Sequence, residues 1–210
     1  MTKYTFKRRS FYNPDGKRCK GITKLLRRFV GAAPRSFGEK GGGGGLRRGK
    51  CVDREIAAFI TRNIQPKHPL AIAFFACLKK IGLKPHKAQV ACGIDKIATA
   101  VDVVCKNAEG ELVLVEQKCG YANCAKPRKM KGIFKDLECT ADNVAFAQLG
   151  MTKLLFEKCF DRKTKALYVR LDNKGASVKS LPTVFKGKVM QELLDQMTAA
   201  PRRKKAVKTK

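Results

Sequence analysis

Two apolar runs joined by a short polar turn constrain the fold of this chain most strongly. Residues 97–105 and 111–118 are rich in Val and Leu, and a segment that ends in Gly110 separates them. Runs of this kind around a glycine-containing turn are typical of a β-hairpin. If Gly110 takes the left-handed conformation of a three-residue loop, positions 107 and 111 close the hairpin, which sets the register of both strands.

That register brings three charged side chains together. Asp102 lies opposite Glu116, and Lys118, two residues further along, points to the same side of the sheet. Burying such charges costs several kcal/mol unless they are paired or bind a metal. The two carboxylates and the backbone carbonyl of Gln117 are oxygen ligands that suit Mg²⁺ or Mn²⁺. The alternative is a strand end that reaches solvent, with Glu116 and Lys118 in a surface ion pair.

A divalent ion at this position predicts phosphodiester hydrolysis. Such an ion can bind the scissile phosphate, lower the pKa of its water and stabilise the leaving oxygen. Lys118 can position the water or neutralise the developing charge. We therefore expect Asp102, Glu116 and Gln117 to be metal ligands and Mg²⁺ or Mn²⁺ to be the cofactor.

The rest of the chain predicts an α/β protein with a mixed β-sheet flanked by helices. Hydrophobic periodicity and capping residues predict helices over residues 53–64, 69–80, 140–159 and 182–197. Further strands are predicted over 86–92 and 166–171. Residues 119–139 are polar, basic and interrupted by Gly and Pro, which predicts a loop or short irregular elements.

The charge of the chain is strongly positive and unevenly distributed. Forty-six Lys and Arg residues against 17 acids give a net charge of +29, which favours nucleic acid as a partner. Residues 1–45 predict a loosely structured basic arm with one short helix and a flexible linker at the five glycines 41–45. We expect the folded domain to span residues 46–198 and residues 199–210 to form a basic disordered tail.

Two basic segments flank the predicted site in the sequence. One precedes the first strong helix, and the other follows the second strand of the hairpin. In such positions basic groups contact phosphates without reading base sequence, and a tyrosine can stack on an unpaired base. The alternative is a solvated basic loop. The predicted nucleic-acid-binding residues are Arg47, Arg48, Lys50, Tyr121, Lys126, Arg128, Lys129 and Lys131.

The cysteines indicate a reducing compartment. Nine cysteines, an odd number scattered through apolar segments, suit reduced thiols better than a disulfide framework. Cys119 and Cys124 raise the question of a cysteine-bound metal, but paired Cys-x2-Cys spacing is missing, which favours free thiols. No apolar run approaches the length of a membrane span. We expect an intracellular protein of the cytoplasm or nucleus, whether cellular or viral, with no membrane partner.

The hairpin and its surroundings resemble the PD-(D/E)xK nuclease superfamily. Residues 100–104 carry the Asp of one strand, and Leu114-Val-Glu-Gln-Lys118 carries the Glu-x-Lys of the next. Residues 146–154 resemble the Gln-containing helix of the RecB and lambda-exonuclease branch, with Gln148 in that position. Residues 49–56 are similar to the first helix, whose acid we map to Glu55, with Asp53 as the competing candidate.

The resemblance implies a restriction-endonuclease-like core and a metal-dependent DNA nuclease. It assigns catalytic roles to Asp102, Glu116 and Lys118 and supporting roles to Glu55 and Gln148. The Gln helix favours an exonuclease over a Holliday-junction-resolvase-like endonuclease, in recombination, repair or replication. Similar exonucleases form ring-shaped trimers, which leaves a homo-oligomer open. The alternatives are a noncatalytic basic DNA-binding or packaging protein and a cysteine-bound metal module that binds RNA.

Overall fold

The computed structural model describes residues 4–7, 10–31, 44–120 and 128–199. Within them the chain forms one eight-stranded mixed sheet flanked by helices, which confirms the predicted α/β class. The strands are β1 (Thr5–Lys7), β2 (Ser10–Tyr12), β3 (Arg18–Gly21), β4 (Lys84–Ile94), β5 (Ile97–Lys106), β6 (Leu112–Cys119), β7 (Lys165–Asp172) and β8 (Gly175–Ser180). The helices are α1 (Ile22–Phe29), α2 (Gly44–Arg62), α3 (Pro69–Lys80), α4 (Ala141–Phe160) and α5 (Gly187–Ala199).

The hairpin of β5 and β6 has the predicted register. Val103 pairs with Val115, as the closure of the hairpin by Asn107 and Glu111 requires. The backbone N–H of Asn107 donates to the carbonyl of Glu111 at 3.1 Å, and Gly110 has φ +79°. The left-handed glycine therefore sets the register of the whole hairpin.

The sheet divides at β5. Strand β4 pairs antiparallel with β5 along one side, from Ile97 to Lys106. On the other side, β3 pairs in parallel with Ile97 and Ala98, whereas β6 pairs antiparallel with β5 from Val103 onward. Residues 99–102 of β5 therefore lie between the two partner strands. Beyond β6, strand β7 pairs in parallel and β8 closes the sheet antiparallel to β7.

Each face of the sheet carries its own apolar core. On one face α1, α4 and α5 pack around Leu114, Tyr168 and Val104. On the other face α2 and α3 pack around Val103, Val115 and other β-branched residues. Because side chains alternate along a strand, the odd-numbered residues of β6 face α2 and α3, and the even-numbered residues face α4.

The N-terminal segment contains the predicted short helix, α1, but otherwise differs from the predicted loose arm. Thr5–Gly21 adds three strands to the sheet, and α1 buries Ile22, Leu25 and Leu26 in the core. These three residues follow helical spacing, but basic side chains fill the positions between them and obscure the apolar stripe. Gly44 and Gly45 belong to α2 rather than to a linker, because the packing of the rest of that helix outweighs their low helix propensity. Residues 41–43 lie outside the described part of the chain.

The C-terminal third contains one strand that the sequence does not predict. Strand β8 is short and half-exposed, and it has little of the β-branched content that marks strands. The last helix is also shorter than predicted, because Pro182 leads into a 3₁₀ turn at Thr183–Phe185 before α5 begins. Thr140 caps α4 as predicted, since its side chain accepts from the backbone N–H of Asn143. Among the helices described, none is long and apolar enough to cross a membrane.

Candidate active site

On one side of β5, the partner strand changes from β3 to β6 across residues 99–102, and we call this place the fork of the sheet. The fork places Asp102 next to β6. Regular pairing of β5 and β6 ends at Val103 and Val115, and beyond it the backbone N–H of Gln117 donates to Oδ2 of Asp102 at 3.2 Å. The side chain of Asp102 therefore takes the place of the next backbone partner. This contact holds the Asp102 carboxylate beside Glu116, where the register predicts it.

The strand on the other side of Asp102 is distorted. Pairing of β4 with β5 passes from Ala88–Val103 to Val90–Val101 and skips Gln89 and Asp102. Gln89 has φ +53°, a left-handed conformation that is uncommon for a residue other than glycine. Strain of this kind costs about 1–3 kcal/mol and gathers at functional sites. The sequence gives no signal for it.

Glu116 is the most buried charged group of the site. Its side chain is 1% exposed, and Oε1 accepts hydrogen bonds from Nζ of Lys118 and, at 2.5 Å, from Nε2 of Gln148. Oε2 has no hydrogen-bond partner among the described residues. An unpartnered buried carboxylate oxygen is costly, so this atom is a natural position for a bound cation.

Four of the predicted site residues meet here. Asp102 and Glu116 come from the two strands of the hairpin, and Lys118 lies two residues beyond Glu116. Gln148 lies on α4, and its side chain contacts Glu116. Two carboxylates, one ammonium group and one amide therefore converge at the fork of the sheet. Gln148 faces the sheet rather than solvent.

Glu55 does not lie at the site, and Asp53 is the acid of α2 that lies beside it. Oε2 of Glu55 accepts from the backbone N–H groups of Lys67 at 2.8 Å and His68 at 2.7 Å, just before α3. These bonds, that to His68 first, hold the pKa of Glu55 below its usual value. Asp53 instead accepts from Nε2 of Gln117. Residues two apart on a helix point in directions about 200° apart, so only one of the two acids can face the site.

The electrostatics of the cluster favour a cation. Desolvation raises the pKa of Asp102 against an opposing effect of Lys118. Desolvation and repulsion from Asp102 raise the pKa of Glu116. Asp53 is an exposed residue, but desolvation of its carboxyl group and repulsion from Asp102 raise its pKa to about 6. One ammonium group, Lys118, faces three mutually repelling carboxyl groups.

The donors present fit a hard divalent ion. Oε2 of Glu116, the Asp102 carboxylate and the Gln117 carbonyl are oxygen donors, which Mg²⁺ and Mn²⁺ prefer. In the described part of the chain, no group of three or more His, Cys, Asp and Glu side chains lies close enough together to hold a metal ion by itself. Waters and substrate phosphate oxygens must therefore complete the coordination, as is usual for Mg²⁺.

A pocket of about 80 Å³ opens beside Lys118 and Gln148. Its walls come from α1 on one side and from the first two turns of α4 on the other. The lining residues are Thr23, Leu26, Arg27, Lys118, Ala141, Val144, Ala145 and Gln148. The pocket gives the cluster access to solvent along α1, a helix that the sequence places in the loose arm.

Strand β7 supports the cluster from the far side of β6. Arg170 pairs with Lys118 across the two strands, and its guanidinium lies 3.7 Å from Asp142. Asp142 also accepts from Nζ of Lys179 at 2.5 Å and from the hydroxyl of Tyr168 at 3.2 Å. This network fixes the start of α4, the helix that carries Gln148. Sequence reasoning missed it because its members are far apart in the chain.

The predicted nucleic-acid-binding residues divide into three groups. Arg47 and Lys50 are exposed on α2, and the half-buried Arg48 packs its guanidinium over Gly120. Arg128, Lys129 and Lys131 are exposed in the segment before α4. Tyr121 and Lys126 lie outside the described residues.

The described cysteines and His68 have structural surroundings. None of the eight cysteines that the structure describes forms a disulfide, and Cys124 lies outside the described residues. Burial raises the pKa of Cys119 to about 11 and that of Cys105 to about 12, which favours the neutral thiol. His68 accepts from the backbone N–H of Leu70 and caps α3.

Comparisons with known proteins add little to this geometry. No protein-family model matches the sequence, and no curated protein matches it. Among solved structures, the crystal structure of SSO0001 is similar over 60% of this chain, with 12% identity and a TM-score of 0.33. The match covers 55% of the SSO0001 chain. A likeness at this level supports no conclusion about activity.

Proposed function

We propose that this protein is a metal-dependent deoxyribonuclease that hydrolyses phosphodiester bonds. The observation that carries the proposal is the state of Glu116. One oxygen is held by Lys118 and Gln148, while the other is buried beside Asp102 with no hydrogen-bond partner among the described residues. This is an arrangement suited to holding a cation next to an ammonium group. The resemblance of the hairpin and α4 to PD-(D/E)xK nucleases gives independent support.

The side chains of the site have different roles. Some would bind the ion, and the others neutralise charge or orient the ligands. Asp102, Glu116 and the Gln117 carbonyl would hold Mg²⁺ or Mn²⁺, and such an ion supplies phosphate binding, water activation and stabilisation of the leaving oxygen. Lys118 positions the attacking water or neutralises charge that develops on the phosphate. Gln148 fixes the orientation of Glu116, and Asp53 orients β6 through Gln117.

DNA is the substrate that the charge and the resemblance favour. A net charge of +29 gives strong attraction to any polyanion. The Gln-bearing helix favours an exonuclease that processes DNA ends, with a role in recombination, repair or replication. A noncatalytic DNA-binding or packaging protein would use the same charge but would have no need for the unpartnered Oε2 of Glu116.

Cleavage of defined substrates tests the proposal. End-labelled linear DNA, covalently closed circular DNA and a four-way junction are incubated with Mg²⁺, Mn²⁺ or EDTA. An exonuclease degrades the linear substrate alone, only with metal. Cleavage of the circle or the junction indicates an endonuclease. Tight binding without cleavage under any metal contradicts the proposal and favours the packaging protein.

Matched variants locate the activity. Asp102→Ala and Lys118→Ala are expected to abolish cleavage and to retain DNA binding. Glu111→Gln is the control, because it removes an exposed carboxylate from the other end of the same hairpin. If the Asp102 and Lys118 variants cleave as fast as this control, the chemistry lies elsewhere in the protein.

A further inference from the structure

Helix α1 lies directly beside the proposed site. Thr23 and Arg27 line the same pocket as Lys118 and Gln148. The helix is anchored there by the buried side chains of Leu25 and Leu26, and it follows β3, which pairs with β5 at the fork. The position of α1 is therefore set by the same strands that position Asp102.

The outward side of α1 is basic. Lys24, Arg27 and Arg28 are exposed, and the sequence of the helix contains no acid. Across the described residues, none of the three forms a salt bridge, and Arg28 lies over the ring of Phe29 with 5.7 Å between its Cζ and the centroid. Neighbours three and four apart on a helix have Cβ atoms roughly 5–6 Å apart, so the three charges form one patch.

A second basic segment adjoins the end of α1. The backbone N–H of Lys131 donates to the carbonyl of Val30 at 3.2 Å, one residue beyond the helix. This contact places the exposed side chains of the 128–131 segment next to α1. The two basic elements are therefore adjacent in the fold, and α1 also borders the pocket.

We propose that Lys24, Arg27 and Arg28, the α1 surface, bind the sugar-phosphate backbone of DNA and guide a strand into the pocket. Charge complementarity supports this occupant, because three cations that form no salt bridge among the described residues attract a chain of phosphates. Phosphate contacts orient a strand without reading its bases, so binding is independent of sequence. Cleavage of the guided strand at the pocket rests on the proposed function, whereas the binding of DNA by α1 does not.

The salt dependence of binding tests the α1 surface. One variant carries Lys24→Gln, Arg27→Gln and Arg28→Gln, and a control carries Lys106→Gln, Arg162→Gln and Lys163→Gln at the hairpin end of the sheet. Both remove three exposed positive charges. Fluorescence anisotropy of a short labelled duplex is measured in EDTA at several salt concentrations, and thermal melting verifies that both variants are folded.

The slope of log K against log salt decides the outcome. Each lost phosphate contact lowers its magnitude by about 0.9, so the α1 variant is expected to lose about two to three in slope while the control keeps the wild-type slope. A wild-type slope for the α1 variant, or an equal loss in both variants, would overturn the proposal. EDTA prevents metal-dependent cleavage, so a protein that never cuts DNA can still show the slope loss, which separates this proposal from the proposed nuclease activity.

Discussion

Gln148 donates a hydrogen bond of 2.5 Å from Nε2 to Oε1 of Glu116 and so joins α4 to β6 at the fork of the sheet. The bond leaves the other oxygen of Glu116 facing the space beside Asp102. Because Lys118 also binds Oε1, both protein donors act on the same carboxylate oxygen. The pair thus keeps one face of Glu116 free for an ion.

Removing this bond is expected to weaken metal use. In Gln148→Ala, Glu116 loses one of two groups that fix its orientation, so the Mn²⁺ concentration for half-maximal cleavage should rise about tenfold or more. Metal titrations of the cleavage rate measure the effect. Gln191→Ala is the control, because it removes the amide of a half-buried glutamine on α5 that donates to the exposed Asp195. An unchanged metal requirement in Gln148→Ala would show that the bond does not serve the site.

Neutralising Asp102 is expected to stabilise the metal-free protein. The folded-state pKa of Asp102 is raised, so the contribution of this group to stability is largest at low pH and is lost as the pH rises through that pKa. Asn keeps an oxygen that accepts from Gln117. Asp102→Asn should therefore raise Tm at pH 8 by about 2–4 °C, the shift that roughly 1 kcal/mol produces in a domain of this size.

The pH dependence provides the check on that stabilisation. The difference in Tm between Asp102→Asn and wild type should shrink as the pH is lowered towards the unfolded-state pKa of about 4. Thermal melts in EDTA across this range measure it, with the exposed Asp136→Asn as the control. A difference that grows on acidification, or a lower Tm for Asp102→Asn at pH 8, would contradict the raised pKa.

Asp53 and Glu55 are expected to have different roles. Asp53→Asn removes a charge next to the site and should slow cleavage about tenfold without loss of stability. Glu55→Gln weakens the cap before α3 and should cost about 1 kcal/mol of folding free energy while cleavage at low temperature stays near wild type. Initial rates and denaturant unfolding of both variants separate the two roles. The reverse pattern would restore Glu55 as the acid of the site.

The hairpin was predictable because its signals are local. Gly110 and the apolar runs determine the register, and the register brings Asp102 to Glu116. The orientation of Gln148 was predictable only through the resemblance, since a glutamine in an amphipathic helix more often faces solvent.

Other features depend on tertiary contacts that a sequence does not reveal. The choice between Asp53 and Glu55 depends on the rotation of α2, which its packing against α3 and the sheet determines. The distortion at Gln89 depends on the interrupted pairing of β4 with β5. The short helix α1 was predicted within the basic arm, but its packing into the core was not, because its buried stripe is only three residues long and is surrounded by basic side chains.

The central claim is that Asp102 and Glu116 hold the divalent ion that cleavage requires. Electron paramagnetic resonance of free Mn²⁺ measures binding directly in wild type, Asp102→Ala, Glu116→Ala and the Glu111→Gln control, alongside cleavage of the same samples. We expect wild type and the control to bind Mn²⁺ and cut DNA, and both site variants to lose binding and cleavage together. Equal Mn²⁺ binding in all four proteins, or metal-dependent cleavage by either site variant at the wild-type rate, would contradict the claim.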